Sequence, residues 1–458
     1  MAGPQAHSRI ARIRGFAGRH YVTIMFVICT FSPLLRRIAD YETGYHKLSP
    51  FALLPTLSFL PGFFLLRRWW GQLGAGFRLV CTVWLIAFGF SYLVAFASGS
   101  MIPALFTLLQ FVTPIGIAGT LVLASPDYRV AFHRSAFGLL VCATISSLYA
   151  IFQYVSPPPW DVLWVQNANI ISMGEPVPFG LRVFGTYNSD GPFGMFLAMA
   201  LLLNLPRLSL RRWLTVLMYA PCIIALLLTE VRAAWIAIAL GMLLYLVLSP
   251  SRRGPMLSIV VVFGVFMLAG TALLAVVHDS QLAVNSVTDR FNTFRVLSGD
   301  SSVTARQEET ADAWREGIKD PLGLGLGAVS ISTRISGGTG GGIDNGFLSR
   351  LVEMGVMGWL MYLGALTAAL LATVSSYLHL RRSPDREARN IAAVAIALQV
   401  VLLVEEATFD QHASFTALFF WYSLFISGVA ASEAINARAG RDPASLYAPS
   451  RTIRPLRA

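Results

Sequence analysis

The stretch SGGTGGGIDNGFLSRLVEMGVMGWL, residues 336–360, changes character part-way along. Residues 336–345 are glycine-rich and polar and close on the pair Asp344-Asn345. An apolar run then continues to about residue 378, carrying only Arg350 and Glu353 as charges. Such a run exceeds the roughly 20 residues a helix needs to cross a hydrocarbon core of about 30 Å. The residues therefore describe a membrane helix that opens on a wet, polar entrance.

The same alternation fills the chain. Apolar spans fall at about 21–38, 50–66, 76–97, 101–123, 133–154, 188–205, 213–230, 232–249, 255–277, 346–378, 390–407 and 413–433. The 458 residues are 55% hydrophobic and 13% charged, with mean hydropathy +0.62, against roughly 25% charged in a soluble domain. The sequence predicts an all-α polytopic membrane protein of about twelve transmembrane helices, with a large outer loop between helices 9 and 10.

The net charge of +11 rests on 35 basic residues, with Lys47 and Lys319 the only lysines. Placing the basic tail of residues 1–20 in the cytoplasm puts most of these charges on the cytoplasmic side, including a second tail at 434–458. This is the positive-inside bias, and it leaves no surplus that calls for nucleic acid. Both termini are then cytoplasmic. Cys29, Cys81, Cys142 and Cys222 stand far apart inside apolar spans, as small buried hydrophobes and not as a disulfide or metal framework. No metal or cofactor site is expected.

Two outer connections exceed turns: 155–187, which leads into FGTYNSDGP, and 278–345, which separates the spans of 21–277 from those of 346–433. Loops of that length are usually functional. In the second, Thr304 and Gln307 form a capping box that predicts a helix over 305–317, with Arg306, Thr310, Ala313 and Gly317 on one face and Trp314 beside it. DPLGLGLG (320–327) reads as a turn and a flexible stretch; without a preceding strand or a following GK[ST], it is no nucleotide loop.

Charges near membrane depth are costly and mark candidate sites. LTEVRAAWIAIALG (228–241) places Glu230 and Arg232 in an outer connection of almost no length, which pins the guanidinium at the mouth of the bundle. Arg306 opens a helix whose N-terminus itself attracts anions. Arg182 precedes FGTYNSDG, with Asn188 inside it. Arginines converging on one cavity form a clamp for diphosphate or carboxylate oxygens.

RVFGTYNSDGPFGMFLAMALLL (182–203), LLTEVRAAWIAI (227–238), SVTARQEETADAWREGIKDPLGLGLG (302–327) and DNGFLSRLVEMGVMGWL (344–360) together resemble the O-antigen ligase and polysaccharide polymerase superfamily of bacterial envelopes. The resemblance covers about residues 180–365, in the family's order. It implies a metal-independent glycosyltransferase of the inner membrane. Such an enzyme takes a glycan from undecaprenyl diphosphate at the periplasmic face and passes it to another repeat unit (polymerase) or to the lipid A core (ligase). The family's diphosphate-binding arginines fall on Arg232 and Arg306.

One position departs. Ligases of the family carry His-Asn ahead of the tenth span, where this chain has Asp344-Asn345. An acceptor hydroxyl needs a general base. Asp, with an ordinary pKa near 3.9, is ionised but weakly basic, and nearby arginines lower it further. Asp344 is expected either to orient an acceptor sugar or to cap the helix. The catalytic candidates are thus Asp344, Arg232 and Arg306, with Arg182, Asn188, Asn345, Trp314 and Glu353 as binding residues, and the missing His favours a polymerase. A lipid-linked glycan flippase or other transporter is the alternative from another class. EEATFDQH (405–412) is expected as a solvated hairpin that could instead supply a base, and RRIADYETGYHKLSP (36–50) as an external polar loop touching lipid phosphate or another chain.

Overall fold

The computed structural model describes residues 4–46, 49–57, 70, 74–123, 125, 127–168, 173–208, 213–249, 260, 264, 301–329, 343–412 and 415–438, and not the side chains of 4–22, 52, 57, 301–307 and 438. The expected span 255–277, most of 50–66, and the glycine run Gly340 to Gly342 lie outside these residues.

Among the described residues there is no β-strand. The helices are α1 (Pro4–Thr43), α2 (Ala75–Ala97), α3 (Met101–Leu123), α4 (Tyr128–Val155), α5 (Pro159–Ala168), α6 (Asp190–Asn204), α7 (Trp213–Leu228), α8 (Arg232–Leu248), α9 (Ser301–Lys319), α10 (Gly346–Arg381), α11 (Arg386–Glu405) and α12 (Ala417–Arg438), with short helical turns between residues 50 and 57 and at 205–207. Six are long and apolar enough to cross a membrane: α2, α3, α4, α10, α11 and α12. The shorter α7 and α8 are apolar as well.

In a bilayer lipid is as apolar as leucine, so helices associate through close packing of small residues and internal hydrogen bonds. α11 shows this: Ala392, Ala393, Ala395 and Ala397 are all fully buried, and α8 and α12 pack closely on it. α6 is the most enclosed, with every residue from Phe193 to Asn204 buried. The Asn204 amide satisfies itself by donating to the carbonyls of Ala136 and Ala200 at 2.8 and 2.9 Å. α10 runs along α2 and α12, α12 along α3, and α4 along α7.

Two expectations about loops are corrected. The segment 320–329 is packed into a break in α10. There Gly355 adopts φ 64°, ψ −179°, a conformation essentially restricted to glycine, which frees carbonyls of the preceding turn. Leu324 N donates to Val352 O at 2.9 Å, Gly325 N to Glu353 O at 3.0 Å and Leu326 N to Ser91 O of α2 at 3.1 Å. Non-helical backbone at membrane depth needs such internal partners because lipid offers none. Gly323, at φ 78°, passes so close that a Cβ would stand 2.3 Å from Gly355 N. The glycines of DPLGLGLG thus serve close approach to α10.

Residues 36–43 continue α1 instead of forming an external loop. Arg37 is fully buried, 2.8 Å from Asp161 Oδ1 of α5, donates to Gly185 O at 2.6 Å and lies over the Phe184 ring. Arg36 bridges Asp40 at 3.4 Å and donates to His46 O. Arg37 is therefore an internal tie that holds FGTYN against α1. Gln153 adds to it, accepting from Phe184 N and Gly185 N and donating to Asp161 Oδ2.

Candidate functional site

The candidate charges Arg182, Glu230, Arg232, Asp344 and Glu353 gather at one end of the bundle, where α7, α4, α2 and α11 finish and α6, α8, α3 and α10 begin. Val183 N donates to Leu228 O at 3.2 Å, laying FGTYNSDG along the tight connection between α7 and α8. Arg182 then reaches Glu230, Nε to Oε2 at 3.1 Å. Glu230 takes φ 55° to close this connection, and Arg232, half-buried, is the first residue of α8. Arg182 and Arg232 therefore share one locus, with Glu230 partly neutralising it. Close by, Asn188 accepts from Trp164 Nε1 through its carbonyl at 2.9 Å, while its buried Oδ1 has no hydrogen-bond partner among the described residues.

α9 is longer than the capping box implied, from Ser301 to Lys319. Ala313 and Gly317 face α10, where Ala313 packs with Leu348, Leu351 and Val352 and a Cβ on Gly317 would stand 2.5 Å from Leu351 Cγ. Thr310 is exposed, so the contact face runs through Glu309, Ala313 and Gly317. Trp314 is largely exposed and meets Trp359 edge-on at 6.1 Å. Arg306 lies in the turn before Glu309; its side chain is outside the described residues.

At the entrance of α10 the structure does not bear out the capping reading of Asp344. The helix cap is Asn345, whose Oδ1 accepts from Leu348 N at 3.1 Å. Asp344 is exposed, and its backbone N–H donates to Glu309 Oε1 of α9 at 3.3 Å. Its carboxylate therefore stands at the rim beside the helix that carries Arg306. Glu353 is enclosed, with no solvent exposure. It pairs with Arg350 Nη1 through Oε2, while Oε1 accepts from Gly327 N and Val329 N at 3.0 and 3.4 Å, pinning the inserted 320–329 segment to α10.

The connection between α11 and α12 is the largest correction: it is not a solvated hairpin. Glu406 and His412 have no exposure and Gln411 only 2%. Gly346 N donates to Glu406 O at 2.8 Å, and a Cβ on Gly346 would stand 2.1 Å from Glu406 Oε1 and 3.0 Å from Asp410 Cα. The connection thus sits directly beneath Asp344-Asn345. On its other side Phe415 packs on Tyr187 and Phe196, ring centroids 6.3 and 5.5 Å apart. It lies between the entrance of α10 and the FGTYNSDG patch and joins the two halves of the site.

Inside it, Glu406 Oε2 is 2.7 Å from His412 Nδ1 and accepts from Gln411 N at 2.7 Å, while Oε1 accepts from Tyr362 OH at 2.8 Å. Burial pushes the Glu406 carboxyl up, but His412 and these hydrogen bonds bring it below the usual range. Asp410 Oδ2 accepts from Arg350 Nη2 at 2.9 Å. Burial raises the Asp410 carboxyl to about 7, since Glu406 and Glu353 repel its charge and Arg350 and His412 only partly offset them. Arg350 lies over the Phe111 ring at 4.6 Å. The sequence signal for this network was three charged or titratable residues in a connection too short to carry them away from the bundle.

Residues 214–363, from α7 into α10, match the family described as O-antigen ligase. The match supports the resemblance of this chain to the O-antigen ligase and polymerase superfamily. The matched ligase region contains Arg232, Arg306, Trp314, Asp344, Asn345 and Glu353, and leaves Arg182, Asn188 and the 406–416 connection outside it. A comparison with curated proteins gives no match. The similarity suggests a multi-pass membrane protein of a glycan ligase or polymerase kind, and the six long apolar helices agree with a multi-pass protein. Among the described residues no cluster of His, Cys, Asp or Glu is arranged to hold a metal ion.

Proposed function

We propose that the protein is an inner-membrane glycosyltransferase that polymerises repeat units of a surface polysaccharide, using undecaprenyl-diphosphate-linked oligosaccharide at the periplasmic face. The observation that carries this reading is the convergence of Arg182, Arg232, the helix bearing Arg306 and exposed Asp344 on one end of the bundle. Arg232 and Arg306 hold the lipid diphosphate and stabilise the charge that grows on it as the sugar leaves. Asn188 and Trp314 contact the glycan, and Asp344 orients an acceptor hydroxyl at the rim. Asn345 fixes the start of α10. Glu353 acts at a distance, by holding Arg350 and the inserted segment. Position 344 favours the polymerase over the ligase that would transfer the glycan to lipid A core, since no imidazole stands there.

The test is deletion of the gene and complementation with wild type, Arg232→Ala or Arg306→Ala, with surface glycans separated by gel and protein quantified in membranes. Wild type restores long chains; either variant leaves single repeats at normal protein level. Loss of all glycan from lipid A core on deletion makes the enzyme a ligase. Unchanged glycan on deletion, or full activity in both variants, overturns the reading.

A further inference from the structure

Asp410, Gln411 and His412 are consecutive, and each has an unsatisfied polar atom. Asp410 Oδ1, Gln411 Oε1 and His412 Nε2 are buried and have no hydrogen-bond partner among the described residues. Each such atom costs about 1–3 kcal/mol when it stays unpaired. Three in a row, on the connection that joins the two halves of the site, are acceptors left for a donor-rich molecule, with Asp410 the one partly exposed to it. His412 Nδ1 faces the Glu406 carboxylate at 2.7 Å, so Nδ1 carries the proton and Nε2 is left as an acceptor when the ring is neutral. The groups therefore suit hydroxyls, the chemistry of a sugar.

Charge completes the case. Three carboxylates, Glu353, Glu406 and Asp410, share a single guanidinium, Arg350, with the His412 ring and the Tyr362 hydroxyl as the remaining partners. Glu353 and Glu406 have no exposure and take the tightest contacts. Asp410 is the carboxylate in excess, and its side chain is 19% exposed where the others are sealed. A carboxylate with one oxygen held by an arginine and the other unpaired can receive a proton without losing its place.

We propose that residues 410–412 form the acceptor-sugar subsite and that Asp410 is the general base of the transfer, a reading that rests on the function proposed above. The acceptor hydroxyl oxygen bonds to the donor's anomeric carbon, the bond from that carbon to the diphosphate oxygen breaks, the diphosphate leaves with the electron pair, and the hydroxyl proton passes to Asp410. Gln411 and His412 hold neighbouring hydroxyls, and Arg350 with the Glu406–His412 pair positions the base. The carboxyl raised to about 7 by burial and by Glu406 and Glu353 fits proton transfer near neutral pH. Asp344 then orients the acceptor at the rim, and the chain needs no imidazole at that position.

The experiment uses the full chain in liposomes, with undecaprenyl-diphosphate-linked oligosaccharide extracted from gene-deleted cells as donor and acceptor. Elongation and retention of labelled donor are read separately. Asp410→Asn elongates about 100-fold or more slowly, the usual contribution of a general base being ~10²–10⁴, while it retains donor like wild type; Asp410→Glu recovers to within about tenfold of wild type. Gln411→Ala raises the acceptor concentration at half-maximal rate with kcat little changed. The wild-type rate climbs as pH rises through about 7, and the residual Asp410→Asn rate does not. Elongation by Asp410→Asn at the wild-type rate, equal rates for the Asn and Glu variants, or a pH profile unchanged by Asp410→Asn overturns the assignment, even if Arg232→Ala loses donor retention. Failure of the wild type to elongate the donor overturns the polymerase reading and this one with it.

Discussion

Removing the charge of Glu353 while keeping its shape gives a direct measure of how the site is held. In Glu353→Gln the side-chain carbonyl still accepts from Gly327 N and Val329 N, at 3.0 and 3.4 Å in the native protein, so the inserted segment keeps its anchor. What is lost is the negative partner of Arg350, whose guanidinium is 1% exposed. Breaking one member of a buried pair costs about 3–5 kcal/mol because the remaining charge is stranded. Arg350 retains Asp410 at 2.9 Å, so the lower end, about 3 kcal/mol, applies. Arg350→Met strands two carboxylates and costs about 3–5 kcal/mol. The double variant leaves only Asp410, 19% exposed, unpaired and is expected to cost about 3 kcal/mol less than the sum of the singles, the upper end for contacting residues. The assay is unfolding in mixed detergent micelles followed by tryptophan fluorescence, to which buried Trp84, with its ring 5.3 Å from Tyr362 and 6.1 Å from His412, reports from the network itself. Additivity within about 0.5 kcal/mol, or an Glu353→Gln cost below about 1 kcal/mol, would refute the reasoning.

Two further predictions concern the entrance and the break of α10. Asn345→Ala loses the cap and about 1 kcal/mol, whereas Asp344→Asn leaves stability within about 0.5 kcal/mol and raises the acceptor concentration needed for elongation; thermal unfolding and steady-state kinetics check both, and a larger stability loss at position 344 than at 345 contradicts the cap assignment. Gly355→Ala places a Cβ 2.2 Å from Pro321 O in a glycine-only conformation and is expected to abolish folded protein in membranes, while Gly364→Ala, with open space around its Cβ, leaves the yield unchanged. Comparable yields for the two would show that the segment does not need the break.

Much of the candidate site was legible because charge is rare inside the spans of this sequence. Arg182, Glu230, Arg232, Asp344 and Glu353 stand out against apolar surroundings, and the cost of burying charge turns each into a candidate. The roles were less legible. Whether Asp344 or Asn345 caps α10 depends on which side chain meets Leu348 N, a matter of backbone direction at the first turn that adjacent polar residues share in sequence.

By itself the sequence determined that this is a many-helix membrane protein with few charges inside its spans, because apolar length and the scarcity of charge are local properties that lipid reads residue by residue. Its four motifs in a fixed order carry the resemblance to the O-antigen ligase and polymerase superfamily, which the family match over residues 214–363 supports. Only the tertiary structure decided that 320–329 fills a break in α10, that Arg37 is an internal tie to Asp161, and that 406–412 is buried beneath the entrance of α10. Each of these depends on partners tens to hundreds of residues away: carbonyls freed by Gly355, a carboxylate on another helix, and Gly346, whose missing side chain lets Glu406 and Asp410 approach. A hairpin of charged residues reads as solvated until another helix is shown to cover it, and that cover is what turns Asp410 from a surface carboxylate into a candidate base.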